Sequence, residues 1–435
     1  MRVDEIVQAS PQEGSMGILI RGGSVIDGRG GHLPKGDVLI QGGRITRIES
    51  GLAASESDTK VIDAAGMTVL PGLIDCHVHI TMGETLSNPK SWTAFAKFHS
   101  EQEAGFLAVS PKAARDVAVG AYNARLTLEA GFTTVRDLGA AAGHSDVVIR
   151  EAIVNGFFAG PRILASGGGI AMTGGHGWNI GVEEADGPEE ILKLVRRQLK
   201  VGADVIKFFA TRAGSAREMP GGSEFTVGEM RVICEEARQR GKRTAAHAIG
   251  KQGIKNAILA GVDTIEHGCF VDDECIDLML ERGTALISTL LPYKRQAEQS
   301  AAQGYPGYVA TRSVEIMEAY PRNLRRAWDR GVTIALGSDC GIPRLTPHGD
   351  NARELALFVD LVRVPSLDVI GLATRNGALA LGISDSIGTL EPGKLADVLV
   401  VDGDPLREIG VLFDKTRLRY VLKEGEVVAR DGKAL

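Results

Sequence analysis

No apolar run in this chain of 435 residues approaches the roughly 18–20 residues that a bilayer-spanning helix needs. Blocks of lysine and arginine are missing too, and the net charge is −6, so nothing draws the chain to nucleic acid or to an anionic membrane. Cysteine is sparse: Cys76, Cys234, Cys269, Cys275 and Cys340 form no C-x-x-C pair and no even framework. Thiols left unpaired suit a reducing compartment. The opening stretch, "MRVDEIVQASPQEGSMG", lacks the basic-then-apolar layout of a secretory leader. The expectation is a cytoplasmic protein.

What is present is ordinary globular material, with 44% hydrophobic and 24% charged residues, enough for one large core or one large and one small. The two ends resemble each other. "ILIRGGSVIDGRG", "GDVLIQGGRITRIES" and "KVIDAAGMTVLPG" near the start match the style of "IGTLEPGKLADVLVVDGDP" and "RLRYVLKEGEVVARDG" near the finish. All are short β-branched runs broken by glycine. They predict one small β-sandwich-like domain built from residues 1–68 and 386–435, with residues 69–385 inserted into it. That insert alternates strand-like runs ("FTTVRDL", "DVIKFFAT", "RTAAHA", "VDTIEHG", "VTIALGSD") with helix-like ones such as "PEEILKLVRRQLKVG" and "DDECIDLMLERG". Eight such units predict an α/β fold of the (β/α)8 TIM-barrel type. A doubly wound open sheet is the weaker choice, because no G-x-G-x-x-G follows the first strand.

Functional groups of such a barrel collect at the carboxyl ends of its strands. The first strand, "VLPGLIDCHVHI", closes on His77 and His79, two positions apart and so on one side of the strand. Alone, the pair is either a satisfied structural couple or two metal ligands. The later strand ends add His247, His267 and Asp339, and this convergence favours ligands. Lys207 sits inside the apolar run "DVIKFFAT", where a charged ammonium is poorly solvated. Either an acid pairs with it, or its pKa is lowered and the neutral amine takes up carbon dioxide. The resulting carbamate would bridge two cations, one held by His77, His79 and Asp339 and the other by His247 and His267.

With "PGLIDCHVH", "GFTTVRDLG", "TGGHG", "GADVIKFFAT", "GVDTIEHG", "GSD" and "GTLEPGKLADVLVVDGDPL" in that order, the chain resembles the amidohydrolase superfamily. The similarity is to its binuclear, carboxylated-lysine branch. Within that branch it is to the imidazolonepropionase-related amidohydrolases that include prolidases, other Xaa-amino-acid dipeptidases and ochratoxin-hydrolysing amidases. The resemblance implies two divalent ions, zinc first with manganese or cobalt as alternatives, and a carbamate on Lys207. His77 and His79 would bind the more buried ion, and His247 and His267 the more exposed one. A hydroxide bridging the two would attack the substrate carbonyl, while Asp339 ligates the first ion and carries the proton to the leaving amine. The resemblance also places His176 and Tyr293 against the substrate, and implies a small-molecule substrate and a homo-oligomer.

The chain departs from prolidase-like members after the fourth strand, where it reads "TRAGSAREMPGGSEF". Arg212 and Arg217 are candidates there to pair with a substrate carboxylate. Phe225 stands where some relatives place an aromatic or hydroxyl-bearing residue. Arg344 and His348 lie in a second specificity loop, "CGIPRLTPHGDNARE", while Cys76 points to the helix side and Cys340 edges the pocket. The expected activity is metal-dependent hydrolysis of the amide bond of a dipeptide or N-acyl amino acid. Another C–N bond (carbamate, urea, lactam or ochratoxin-like aryl amide) is the alternative. A non-enzymatic scaffold would be expected to have lost ligands, and all of them are present. Lys207→Ala is expected to abolish hydrolysis and to release one or both ions, read from rate and metal content. A variant with full metal and full rate would rule out the carbamate.

Overall fold

Strands at the two ends of the chain mix buried with exposed positions, whereas those of the middle are buried at nearly every position. The first pattern belongs to a sheet with one wet face, the second to strands covered on both sides. The computed structural model describes residues 17–53, 59–82, 111–139, 144–177, 182–213, 222–342 and 344–435.

Both ends enter one sheet. Its strands are β1 (Ile18–Ile26), β2 (His32–Gln41), β3 (Arg44–Glu49), β4 (Lys60–Asp63) and β5 (Thr68–Pro71) from the start of the chain. The finish of the chain adds β16 (Val398–Val401), β17 (Leu418–Lys423), β18 (Glu426–Arg430) and β19 (Lys433–Ala434). The order is β19-β18-β17-β16-β5-β1-β2-β3, with β4 beside β1, and the seam between the two ends is the antiparallel pair β16–β5. In β16 the pleat divides the core. Val398 and Val400 pack among the apolar residues of this sheet, while Leu399 and Val401 face the central core.

The central strands are β6 (Leu73–Val78), β7 (Phe132–Asp137), β8 (Arg162–Ala165), β9 (Ile170–Ala171), β10 (Glu183–Glu184), β11 (Val205–Phe209), β12 (Arg243–Ala248), β13 (Thr264–His267), β14 (Ala285–Ser288) and β15 (Ile334–Leu336). Helices alternate with them, among them α1 (Pro111–Glu129), α2 (Ser145–Val154), α3 (Gly187–Lys200), α4 (Val227–Gln239), α5 (Lys251–Ala260), α6 (Asp273–Arg282) and α7 (Leu290–Gln299). Helix α4 begins on a capping box in which Thr226 and Glu229 satisfy each other's backbone N–H groups. Helix α3 carries Glu189 and Glu190 in its first turn and Arg197 and Lys200 in its last, matching its dipole.

The α/β alternation is as expected, but the strands do not form one closed sheet. They lie in a parallel sheet β6-β7-β8 and a second one, β10-β9-β11-β12-β13-β14-β15. Isolated bonds join the two at each junction. Asp204 N–H donates to Ala165 O at 2.7 Å, and Asp339 N–H donates to His77 O at 2.8 Å. Among the described residues no helix is long and apolar enough to cross a membrane.

Arg162, at the start of β8, ties the central strands to the two-ended sheet. Its guanidinium reaches Asp397 at 2.7 Å and Glu424 at 2.6 Å, and it is buried together with Asp397. Arg162→Met leaves the Asp397 carboxylate buried without its cation. The expected loss is about 3–5 kcal/mol of unfolding free energy in chemical denaturation. A loss below about 1 kcal/mol would mean that the pair does not hold the sheet in place.

Candidate metal centre

Each histidine in question stands at or just past the carboxyl end of a parallel strand: His77 in β6, His79 immediately after it, His247 in β12 and His267 at the end of β13. Lys207 lies in β11, and Asp339 follows β15. His77 Nε2 is 3.6 Å and His79 Nε2 3.2 Å from Asp339 Oδ1. The donor atoms of these three residues lie within 4.8 Å of one another, close enough for one cation. The His267 ring is 4.8 Å from that of His77 and 4.5 Å from that of His247. Lys207 is buried within electrostatic reach of His77, His247, His267 and Asp339. Its ammonium group lies 5.2 Å from the centre of the Phe209 ring.

The hydrogen bonds behind these rings bear on whether a cation fits. His79 Nδ1 donates to the carbonyl of Gly139 at 2.8 Å, and His247 Nε2 to the carbonyl of Arg212 at 3.2 Å. Carbonyls only accept, so these two nitrogens carry hydrogens, and in a neutral ring the opposite nitrogen keeps its lone pair. His77 Nδ1 meets Glu266 Oε2 at 2.9 Å, and His267 Nδ1 meets Thr289 Oγ1 at 2.7 Å. One nitrogen of each ring is therefore anchored, the usual arrangement behind metal-binding histidines; the other is left for a ligand in His77, His247 and His267, while in His79 it meets Asp339. A set of imidazoles and a carboxylate fits divalent zinc, manganese or cobalt.

The electrostatics are consistent with this. Burial, reinforced by Lys207, holds His77 well below the ordinary imidazole range; burial and the neighbouring histidines do the same to His247. His267 is pushed down to about 3, chiefly by burial. These rings are neutral at neutral pH, the state a ligand requires. Burial opposes the charge on Asp339, but the hydrogen bond and charge of His79, whose own pKa is raised in return, help to hold the carboxyl below its usual range. Burial brings Lys207 down to about 8, against the pull of Glu266 and Asp339.

Backbone strain concentrates here as well. His267 and Asp339 adopt left-handed φ angles of 69° and 52°. Such residues cost of order 1–3 kcal/mol each and persist where the surroundings demand them. The chain around Asp339 also runs hard against the first strand. A Cβ on Gly337 would meet His77 Cβ at 2.5 Å, and one on Gly341, whose φ is +123°, would meet His79 O at 2.5 Å.

The residues expected to face substrate fare differently. The ring of His176 stacks on His247 at 4.5 Å and touches Phe209 edge-on at 4.8 Å. Its backbone N–H donates to Glu224, at 3.0 and 3.1 Å from the two carboxylate oxygens. Burial and then Lys207 lower its pKa to about 4. Tyr293, in α7, is buried with its ring edge-on to His267 at 6.2 Å. Arg212 is exposed, with its carbonyl committed to His247, and Arg217 lies outside the described residues. Phe225 is core, as is Cys76, while Cys340 is fully buried, with its thiol 3.4 Å from Pro347 O. His348 does not stand exposed in its loop. It is buried between Thr127 Oγ1 at 2.9 Å and the carbonyl of His79 at 3.2 Å.

The sequence reading missed the residues behind the ligands: Glu266, Arg136, Thr289 and Glu224. Two carried the signal that singled out Lys207, a charge inside an apolar strand, as "TTVRD" and "DTIEH" show.

The profile of the Amidohydrolase family matches residues 68–428. The chain belongs to the amidohydrolase family. This amidohydrolase is similar to the ochratoxinase of Aspergillus niger, with 29% identity over 393 residues, 84% of this chain and 76% of the fungal one. Among solved structures it resembles an Xaa-Pro dipeptidase with methionine bound in the active site. That match has 33% identity and a TM-score of 0.81 over 94% of this chain and 99% of the other. A prolidase complexed with N-methylphosphonate-L-proline matches with 28% identity and a TM-score of 0.83, over 95% of this chain and 100% of the other. The amidohydrolase is thus a hydrolase acting on C–N bonds.

His348 gives the amidohydrolase a testable acid response. Burial lowers its pKa from 6.5 to about 4, so between those values the unfolded chain binds the proton that the folded one refuses. Its contribution is present above about pH 6.5 and is lost as pH falls towards about 4, some 3 kcal/mol in all. Denaturation at pH 7 and pH 4 should show His348→Gln losing less stability on acidification than the parent. Equal losses would show that His348 titrates normally.

Proposed function

We propose that this amidohydrolase cleaves the amide bond of a dipeptide or an N-acyl amino acid with the help of two divalent cations. The observation that carries the proposal is the convergence of His77 Nε2 and His79 Nε2 on Asp339 while their opposite nitrogens are tied down. His77, His79 and Asp339 would hold one cation. Nδ1 of His247 and Nε2 of His267 would hold the other, with Lys207, as its carbamate, between them. When bound, such cations supply Lewis acidity and bring the pKa of a water towards neutrality. We read the residues from 69 to 385 as a (β/α)8 unit that aims these side chains at one mouth.

The remaining steps belong to the chain. Asp339, ionised between two imidazoles, accepts a proton from the attacking water and passes it to the amine nitrogen as the C–N bond breaks. Water thereby adds to the acyl carbon, and the products are a carboxylic acid and an amine. His176, held by Glu224 and stacked on His247, orients the substrate carbonyl or carboxylate through a ring nitrogen. Arg212, exposed at the same edge, pairs with a free carboxylate.

The likeness to the ochratoxinase keeps the second class of substrate in the test, a C–N bond in an aryl amide, carbamate, urea or lactam. A hydrolysis screen with the zinc-loaded protein separates the two. Cleavage confined to substrates with a free α-carboxylate, lost on chelation and restored by zinc, is the expected result. Cleavage only of neutral amides, ureas or carbamates would overturn the peptidase-like assignment and return Arg212 to the surface.

A further inference from the structure

Behind His77 lies a chain of buried polar groups that none of the expected ligands includes. Arg136, from β7, crosses the interior and donates through Nε to Cys76 O at 2.7 Å, through Nη1 to Thr264 Oγ1 at 3.0 Å and through Nη2 to Glu266 Oε1 at 2.7 Å. Thr264 Oγ1 donates to the same Glu266 oxygen at 2.5 Å. Glu266 Oε2 is left facing His77 Nδ1 at 2.9 Å. All of these residues are buried.

The direction of each bond follows from the donor inventory. A guanidinium has no acceptor, so Arg136 donates in all three contacts. Glu266 therefore accepts at Oε1, and its other carboxylate oxygen can only accept again. The hydrogen between Glu266 and His77 then belongs to the imidazole Nδ1. With that proton fixed, the lone pair sits on Nε2, the nitrogen that points at Asp339.

We propose that Glu266 is a positioning residue that fixes the Nδ1–H tautomer of His77 and so commits its Nε2 to a divalent cation, with Arg136 setting the polarity of the chain. This rests on the metal-dependent function proposed above. Glu266→Gln tests it sharply. Arg136 would capture the amide oxygen and turn the amide NH2 towards His77. That NH2 donates to Nδ1, sends the ring proton to Nε2 and blocks the ligand position. Glu266→Ala leaves the ring free to choose. A merely structural role predicts the opposite ranking, since alanine opens a cavity and takes from Arg136 the carboxylate that answers its charge.

The measurement is zinc affinity and stoichiometry by chelator competition on the purified full-length chain, with thermal unfolding alongside. The expected result is that Glu266→Gln binds zinc about 10–100-fold more weakly than the parent and more weakly than Glu266→Ala. Glu266→Ala is in turn expected to be the less stable fold. Parental zinc affinity in folded Glu266→Gln, or a weaker Glu266→Ala, would overturn the proposal. Where Glu266→Ala does not fold, Glu266→Gln is compared with His77→Asn. A loss of similar size upholds the proposal and parental affinity overturns it. A parent chain that binds no zinc overturns the metal-dependent function itself, a different failure.

Discussion

Charge buried among parallel strands must be answered by charge or by hydrogen bonds, and the centre of this protein is organised by that requirement. Lys207, Arg136, Glu266 and Asp339 are all buried within or just beyond strands that are otherwise apolar. An uncompensated ion in such a place costs several kcal/mol. Arg136 meets Glu266, Glu266 meets His77, and His77 and His79 meet Asp339. The contacts run from β7 through β13 to β6 and on to the segment after β15, so the polar chain also spans the junction where the two parallel sheets are joined only by isolated bonds. Compensation and cohesion come from the same groups.

Geometry at that junction is held tightly. Asp339 reaches the two histidines because its segment lies against β6 with no room for a side chain at Gly337 or Gly341. The left-handed backbone at Asp339 lies between those two glycines, and a second left-handed residue is the ligand candidate His267. Strain of this kind persists only where neighbours over-determine it. Here those neighbours include the anchors of the imidazoles: Gly139 O for His79, Arg212 O for His247 and Thr289 for His267. His348, wedged under the carbonyl of His79, stiffens the same corner from behind.

Much of this was legible in the sequence. Two histidines at a two-residue spacing at the end of an apolar run place both rings on one side of a strand wherever that strand lies. The alternation of apolar runs with amphipathic ones announced parallel strands with helices between them. The Gly-rich, β-branched ends announced a common sheet, and β5 and β16 do pair. Less legible was everything that depends on which strand end meets which loop. His348 looked like a loop residue and proved buried, because Thr127 and the His79 carbonyl, far away in sequence, close around it. Tyr293 proved nearly buried beside His267.

What the sequence by itself determined is the inventory and its phase. It set which strands carry a charge, which side of each strand that charge faces, and where along the strand it falls, because these follow from local periodicity. Tertiary structure alone decided the pairing: Glu266 with His77 across 189 residues, Arg136 with Glu266 across 130, and Asp339 against the first strand. Those contacts exist only once strands distant in sequence are packed side by side, where low polarity makes each buried ion seek its partner.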